Sequence, residues 1–182
     1  MNIFYLEHDV TNCAKMHVDK HCIKMILEYA QLLSTAHRVL DGIKSIGVSK
    51  TGRKQTQYVI PDGRESSLYS ATHINHPSAI WVRQSFANYS WLFKMFVALM
   101  EEYTYRYGKV HACNKLTENL SFTPNNIPQG SFTEPTPAMP EQYKVFGDSI
   151  KSYKNYYLGD KRRMFSWKQR EVPSWTICAS ND

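Results

Sequence analysis

His17, His21, Lys24, Glu28, Gln31, Thr35 and Arg38 follow one another at spacings of 4, 3, 4, 3, 4 and 3. In a helix these spacings put all seven on one face. A face that merely meets water reads as interchangeable Lys and Glu. This one offers two imidazoles, an amine, a carboxylate, an amide, a hydroxyl and a guanidinium, which suits the wall of a cleft. The plainer alternative is a partly exposed stripe in which Lys24 and Glu28 form an i, i+4 ion pair worth a few tenths of a kcal/mol.

Two chemistries could use the row. A carboxylate, Glu28 or Asp19 one step off the face, can stabilise a cationic transition state, and Lys24 or Lys20 becomes a nucleophile if desolvation weakens its hold on the proton. Alternatively, Cys13, His17 and His21 step by four and His73 with His76 could add ligands, as in a zinc- or iron-dependent hydrolase. No carboxylate-rich pattern or familiar ligand spacing supports a metal, so no metal or other cofactor is assigned. His73-Ile74-Asn75-His76-Pro77 leads into a strongly apolar stretch with Arg83 beyond it. The free N–H groups and positive end of a helix starting there can hold an anion. His73, His76 and Arg83 therefore join His17, His21, Gln31 and Arg38 as candidate substrate-binding groups, provided that this end faces the row.

The net charge of +6 is concentrated. Lys144, Lys151, Lys154, Lys161, Arg162, Arg163, Lys168 and Arg170 stand against only Asp148 and Asp160, interleaved with Tyr143, Tyr153, Tyr156, Tyr157, Phe165 and Trp167. Cations mixed with flat stacking surfaces suit a nucleic acid. Lys50, Arg53 and Lys54 form a second basic knot. The expected partner is DNA, with a nucleotide or modified base as the smaller alternative. The nucleic-acid-binding candidates are Lys50, Arg53, Lys54, Lys161, Arg162, Arg163, Lys168 and Arg170.

The elements that must position these groups read as mainly α. Thr11 or Asn12 can cap a helix from about Cys13 to Leu40, ending at Asp41-Gly42 in a left-handed turn. Residues 43–75 read as a basic loop insertion, with a short strand and turn near Gln57–Gly63. A second long helix, apolar over most of its circumference, runs from Pro77 to about Tyr107 and stops at Gly108. A short helix near Lys115–Leu120 precedes a proline-rich irregular crossing at 121–147. Asp148 caps a third helix through Tyr157, with a break at Gly159 and more helix from Asp160 to about Gln169. The expected architecture is a single compact domain over residues 1–182, built on two long helices with a third C-terminal helical region and long irregular loops.

Apolar residues at 42% and charged residues at 21% exclude a coiled coil, a collagen-like chain and wholesale disorder. The long apolar stretches carry interior charges, so no membrane span is expected. MNIFYLEHD lacks the basic start of a secretory signal, and the four cysteines show no C-x-x-C pair. An intracellular, cytoplasmic protein is expected, in the host cell if it is viral.

Asp19-Lys20-His21-(x)2-Lys24-(x)3-Glu28 followed by Ala30-Gln31-Leu32-Leu33 resembles a helix block of the pyrimidine-dimer DNA glycosylase-like family, of the endonuclease V type. Asn75-His76-Pro77-Ser78-Ala79-(x)-Trp81, Tyr89, Leu92, Glu102-(x)3-Arg106-(x)-Gly108 and the terminal Pro173-Ser174-Trp175 are similar to further segments of it. The resemblance spans residues 10–40 and 73–108 and the tail, under half the chain. It implies a mainly helical, metal-free enzyme that binds damaged duplex, displaces the base opposite the lesion, cleaves the glycosidic bond and nicks by β-elimination. It further implies an N-terminal α-amine as Schiff-base nucleophile at C1′, since an α-amine loses its proton nearer neutrality than lysine does. This chain departs in beginning Met1-Asn2, where methionine is retained, so the amine would be that of Met1, or of Lys20 or Lys24. The carboxylate would be Glu28 or Asp19. Non-catalytic sequestering or inhibitory binding of a nucleotide in the same pocket is the alternative reading.

Overall fold

The computed structural model describes residues 1–48 and 51–177. The chain forms mainly helices, with one two-stranded sheet among the described residues. The first expected helix is two: α1 (Val10–Met16) and α2 (Asp19–Asp41), parted by His17 and Val18 with extended ψ of 131° and 154°. The cap of α1 is Asp9, not Thr11 or Asn12; its carboxylate accepts the Asn12 N–H at 2.8 Å. A buried guanidinium from far along the chain holds the break open. Arg106 donates to the Lys15 and His17 carbonyls, each at 2.9 Å, and pairs with Asp19 at 2.9 Å and Glu102 at 2.7 Å. It thereby satisfies carbonyls that the end of α1 leaves without partners.

Arg106→Ala should cost about 3–5 kcal/mol, because it takes a buried cation from two partly or wholly buried carboxylates and leaves the Lys15 and His17 carbonyls without it. Urea unfolding measures this. A loss below about 1 kcal/mol would show that water replaces the guanidinium without penalty.

After α2 the chain forms a hairpin, β1 (Ile43–Val48) and β2 (Lys54–Val59), with Ile43 opposite Val59 and Val48 opposite Lys54. The sequence suggested only a short strand near residue 57. Both strands are largely exposed, so they lack the alternation that marks a half-buried strand. Gly42 does not take the expected left-handed turn; its φ is −86°. Glycine is still needed there, since a Cβ would collide with the Arg38 carbonyl.

The second expected helix is also split, into α3 (Pro77–Val82) and α4 (Phe86–Tyr107). Ser85 caps α4 by accepting the Asn88 N–H at 3.1 Å, while the Phe86 N–H goes to the Pro128 carbonyl at 2.8 Å. Gly108, at φ 65°, ends α4 in the left-handed conformation that glycine tolerates. The helices α2 and α4 pack together, with α1 against α4 and α3 against α2.

The N-terminal segment has no regular structure, yet Ile3, Phe4, Tyr5 and Leu6 are buried in the core. Each large side chain buried this way contributes roughly 1.5–3 kcal/mol, so the start of the chain is held in place. The short α5 (Thr117–Ser121) leads into the irregular crossing. Asn125 and Asn126 N–H groups bond to Asp41 at 2.9 and 3.0 Å, and the Trp81 indole donates to the Thr133 carbonyl at 3.0 Å.

Asp148 caps α6 (Ser149–Leu158) as expected, accepting the Lys151 N–H at 2.8 Å. The helix expected from Asp160 to Gln169 shrinks to a 3-10 turn at Arg162–Met164. Asp19 diverts this backbone: its N–H donates to the Ser166 carbonyl at 2.9 Å, and its carboxylate accepts the Ser166 hydroxyl at 2.6 Å and the Lys168 N–H at 3.0 Å. The short α7 (Ser174–Ile177) follows. Among the described residues no helix is long and apolar enough to cross a membrane.

Candidate active site

The buried path of residues 3–6 delivers the N-terminus to the middle of α2. The Met1 α-amine lies 3.6 Å from Glu28 Oε2, and the Asn2 N–H donates to the same oxygen at 3.1 Å. Glu28 Oε1 pairs with Lys24 Nζ at 3.0 Å. The Glu28 side chain is 12% exposed and that of Lys24 71%, so the carboxylate sits at the base of the site and Lys24 at its rim. Asn2 fixes this geometry. Its side-chain oxygen accepts the Tyr153 hydroxyl at 2.7 Å and its side-chain N–H donates to the Ala138 carbonyl at 2.8 Å. Asn2 did not stand out in the sequence, and Tyr153, read there as a stacking surface, is fully buried instead. The one available signal was the run Ile-Phe-Tyr-Leu, too apolar to leave the N-terminus in solvent.

Around this pair lies a polar cavity of about 260 Å³, lined also by Phe4, His21, Tyr156 and Lys161. His21 stacks on Phe4 with ring centroids 4.1 Å apart, and its Nδ1 shares a 2.7 Å hydrogen bond with the Tyr157 hydroxyl. Lys161 Nζ rests over the Tyr156 ring, 4.4 Å from its centroid. His76 caps α3 through Nδ1, which accepts the Ser78 N–H at 3.2 Å. Its pKa is lowered by burial, then by the nearby charges of the Met1 amine and His73, with Glu28 opposing. His76 is nevertheless not among the residues that line the cavity.

The rest of the row does not share that cavity, and the expectation of one crevice is corrected. His17 is fully buried, with Nδ1 on the Cys13 carbonyl at 2.8 Å and Nε2 on the Tyr29 hydroxyl at 3.2 Å. Thr35 is buried against Thr72. Arg38 is 4% exposed and spends its donors on the Tyr58, Glu65, Leu68 and Tyr69 carbonyls and the Glu65 carboxylate. It anchors the loop after the hairpin and is not a substrate group. Gln31 and Arg38 border a second cavity of about 620 Å³, where the charged lining groups among the described residues, Arg38 and Glu65, pair with each other. It is larger, but it presents no amine.

Asp19 does not line the Met1 cavity. Burial would push its carboxyl up, but Ser166, the Lys168 N–H and Arg106 hold it below the usual range, as fits a structural anchor. Lys20 is exposed. Arg83 folds back on α3, donating to the Ala79 carbonyl at 2.9 Å. His73 is exposed, at φ 48°, and bonds to the Thr72 hydroxyl at 2.7 Å. Cys13 donates its thiol to the Phe4 carbonyl, and among the described residues no three His, Cys, Asp or Glu gather as metal ligands.

Of the expected DNA contacts, Arg162 and Arg163 are exposed. Arg53 and Lys54 are exposed at the hairpin, and Lys50 lies outside the described residues. Lys168 lies over Tyr107, 5.1 Å from the ring centroid. Arg170 pairs with Glu102 at 2.8 Å and covers Tyr105 at 3.8 Å, which makes it part of the scaffold.

Burial lowers the pKa of His17 to about 4, His21 to about 3 and His37 to about 4. Unfolded histidine binds a proton near pH 6.5. As pH falls from about 6.5 towards 4, the unfolded chain gains protons that the native one refuses, and stability drops by up to roughly 4 kcal/mol per pH unit. Urea midpoints at about pH 7.5 and 5.5 measure the effect, and equal midpoints would contradict neutral burial of these rings.

Compared with known proteins, the chain matches no family model, no curated protein and no solved structure.

Proposed function

We propose that this protein is a DNA glycosylase with abasic-site lyase activity, acting on a damaged or modified base. The observation that carries the reading is the Met1 α-amine held 3.6 Å from the carboxylate of Glu28. The resemblance of the α2 and α3 segments to glycosylase-like motifs points the same way.

In this reading the base is extruded towards the cavity. The amine attacks C1′ as the glycosidic bond breaks, and the base leaves with the bonding electron pair. Glu28 stabilises the positive charge that develops on the sugar, and Lys24 and the Asn2 N–H hold it in position. Neutral His21 lines the site and orients the sugar or base. Arg162, Arg163 and the hairpin cations grip the backbone, an interaction that weakens with salt. No step requires a cofactor.

Borohydride reduction in the presence of a duplex with one abasic site tests the reading. A covalent protein–DNA adduct is expected. Its absence, together with no base release from a panel of damaged and modified duplexes, would overturn it. A second reading, a non-catalytic binder of a nucleotide or modified base, draws on the polar cavity of about 620 Å³. Tight nucleotide binding without an adduct would identify it.

A further inference from the structure

Charge at the Met1 cavity is unbalanced. Among the described residues the Met1 amine, Lys24 and Lys161 line it against one carboxylate, Glu28. Glu28 already pairs with the first two. Lys161 has no carboxylate partner among the described residues; its ammonium lies over Tyr156, 4.4 Å from the ring centroid.

Local structure holds it there. Gly159 ends α6, and the Tyr143 ring packs where its Cβ would be, so glycine lets that ring close against the turn. Tyr143 donates its hydroxyl to Asp160 at 2.8 Å, and the Lys161 N–H returns to the Tyr156 carbonyl at 3.3 Å. The turn carries Lys161 back over the last part of α6 and into the cavity wall. A half-buried cation without a carboxylate, facing a nucleophilic amine, calls for an anion supplied by the ligand.

We propose that Lys161 is a catalytic residue of the elimination step, binding the phosphate 3′ to the abasic sugar as it leaves. This rests on the glycosylase–lyase reading above. Once the amine has joined C1′ as an iminium, with loss of water, a base removes a C2′ proton. The C–H electron pair forms C2′=C3′, the C3′–O bond breaks, and its pair departs on the phosphate oxygen. The phosphate passes from a singly charged diester to a doubly charged monoester. A fixed ammonium beside it gains attraction as the bond breaks, which is stabilisation specific to the transition state.

The test compares wild type, Lys161→Met and Lys161→Arg on two abasic duplexes, one natural and one in which sulfur replaces the bridging 3′ oxygen, so that a better leaving group departs. Borohydride trapping and strand cleavage are both scored. On the natural duplex Lys161→Met should cleave about tenfold to a hundredfold more slowly. Its trapping yield should stay within about twofold of wild type, which also reports a folded, DNA-competent protein. Lys161→Arg should recover part of the rate. On the 3′-thio duplex the gap between wild type and Lys161→Met should narrow, because a sulfur leaving group needs less help from the ammonium as the bond breaks. Normal trapping with unchanged cleavage by Lys161→Met, or an equal loss on both duplexes, overturns the role of Lys161 and leaves the lyase reading standing. Absence of any wild-type adduct overturns both.

Discussion

Glu28→Gln should slow base release and strand cleavage by about a thousandfold, with DNA affinity within about threefold of wild type. The substitution keeps the shape of the side chain and an oxygen for the Asn2 N–H, which bonds Glu28 at 3.1 Å. It removes the negative charge that faces the Met1 amine and would face the cationic sugar. Affinity is spared because a carboxylate contributes nothing favourable against phosphate, and the proposed backbone contacts lie on Arg162, Arg163 and the hairpin. Single-turnover rates on a lesion or abasic duplex measure the first effect and filter binding the second. Cleavage within tenfold of wild type would assign the chemistry to another carboxylate.

A glycine added before Met1 should have a comparably large effect. It turns the Met1 nitrogen into an amide, which cannot form an iminium, and moves the free amine by about 3.8 Å along the chain. Trapped adduct should fall by at least about a hundredfold. An unchanged urea midpoint shows that residues 3–6 remain in the core. Persistence of the adduct would make Lys24 or Lys20 the nucleophile. Lys24 is poorly placed for that role, its side chain being 71% exposed where that of Met1 is 3% exposed.

What the sequence revealed depended on how local each signal was. The Asp148 cap, the stop at Gly108 and the apolar circumference of α4 are written in neighbouring residues, and each appears in the structure. The break at His17–Val18 is held by Arg106 from far along the chain, so no pattern within the helix announces it; before Phe86 the Ser85 cap was a local signal, hidden in a continuous apolar pattern, and the Pro128 carbonyl completes that break. The hairpin escaped because both its faces are exposed, leaving no alternation to read.

The site was legible in composition and not in partition. Glu28, Lys24, His21 and Met1 were all among the candidates, and the structure brings them together. His17, Arg38 and Asp19 have the same chemical types, yet their hydrogen-bonding capacity is absorbed by Tyr29, the loop carbonyls and Arg106. A polar side chain on a mostly buried helix is drawn to whichever unsatisfied group the fold presents, and that group was far away in sequence. Asn2 was missed, and Tyr153 was read as a stacking surface, for the same reason: their value lies in a contact between residues 151 apart in the chain.

The central claim is that the Met1 α-amine is the nucleophile beside Glu28. Its most direct test is to reduce the complex with an abasic duplex using borohydride, digest the protein and locate the modified peptide by mass spectrometry. The account predicts sugar attached to the nitrogen of Met1 and to no lysine. Modification at Lys24, Lys20 or Lys161, or no modified peptide at all, would contradict it.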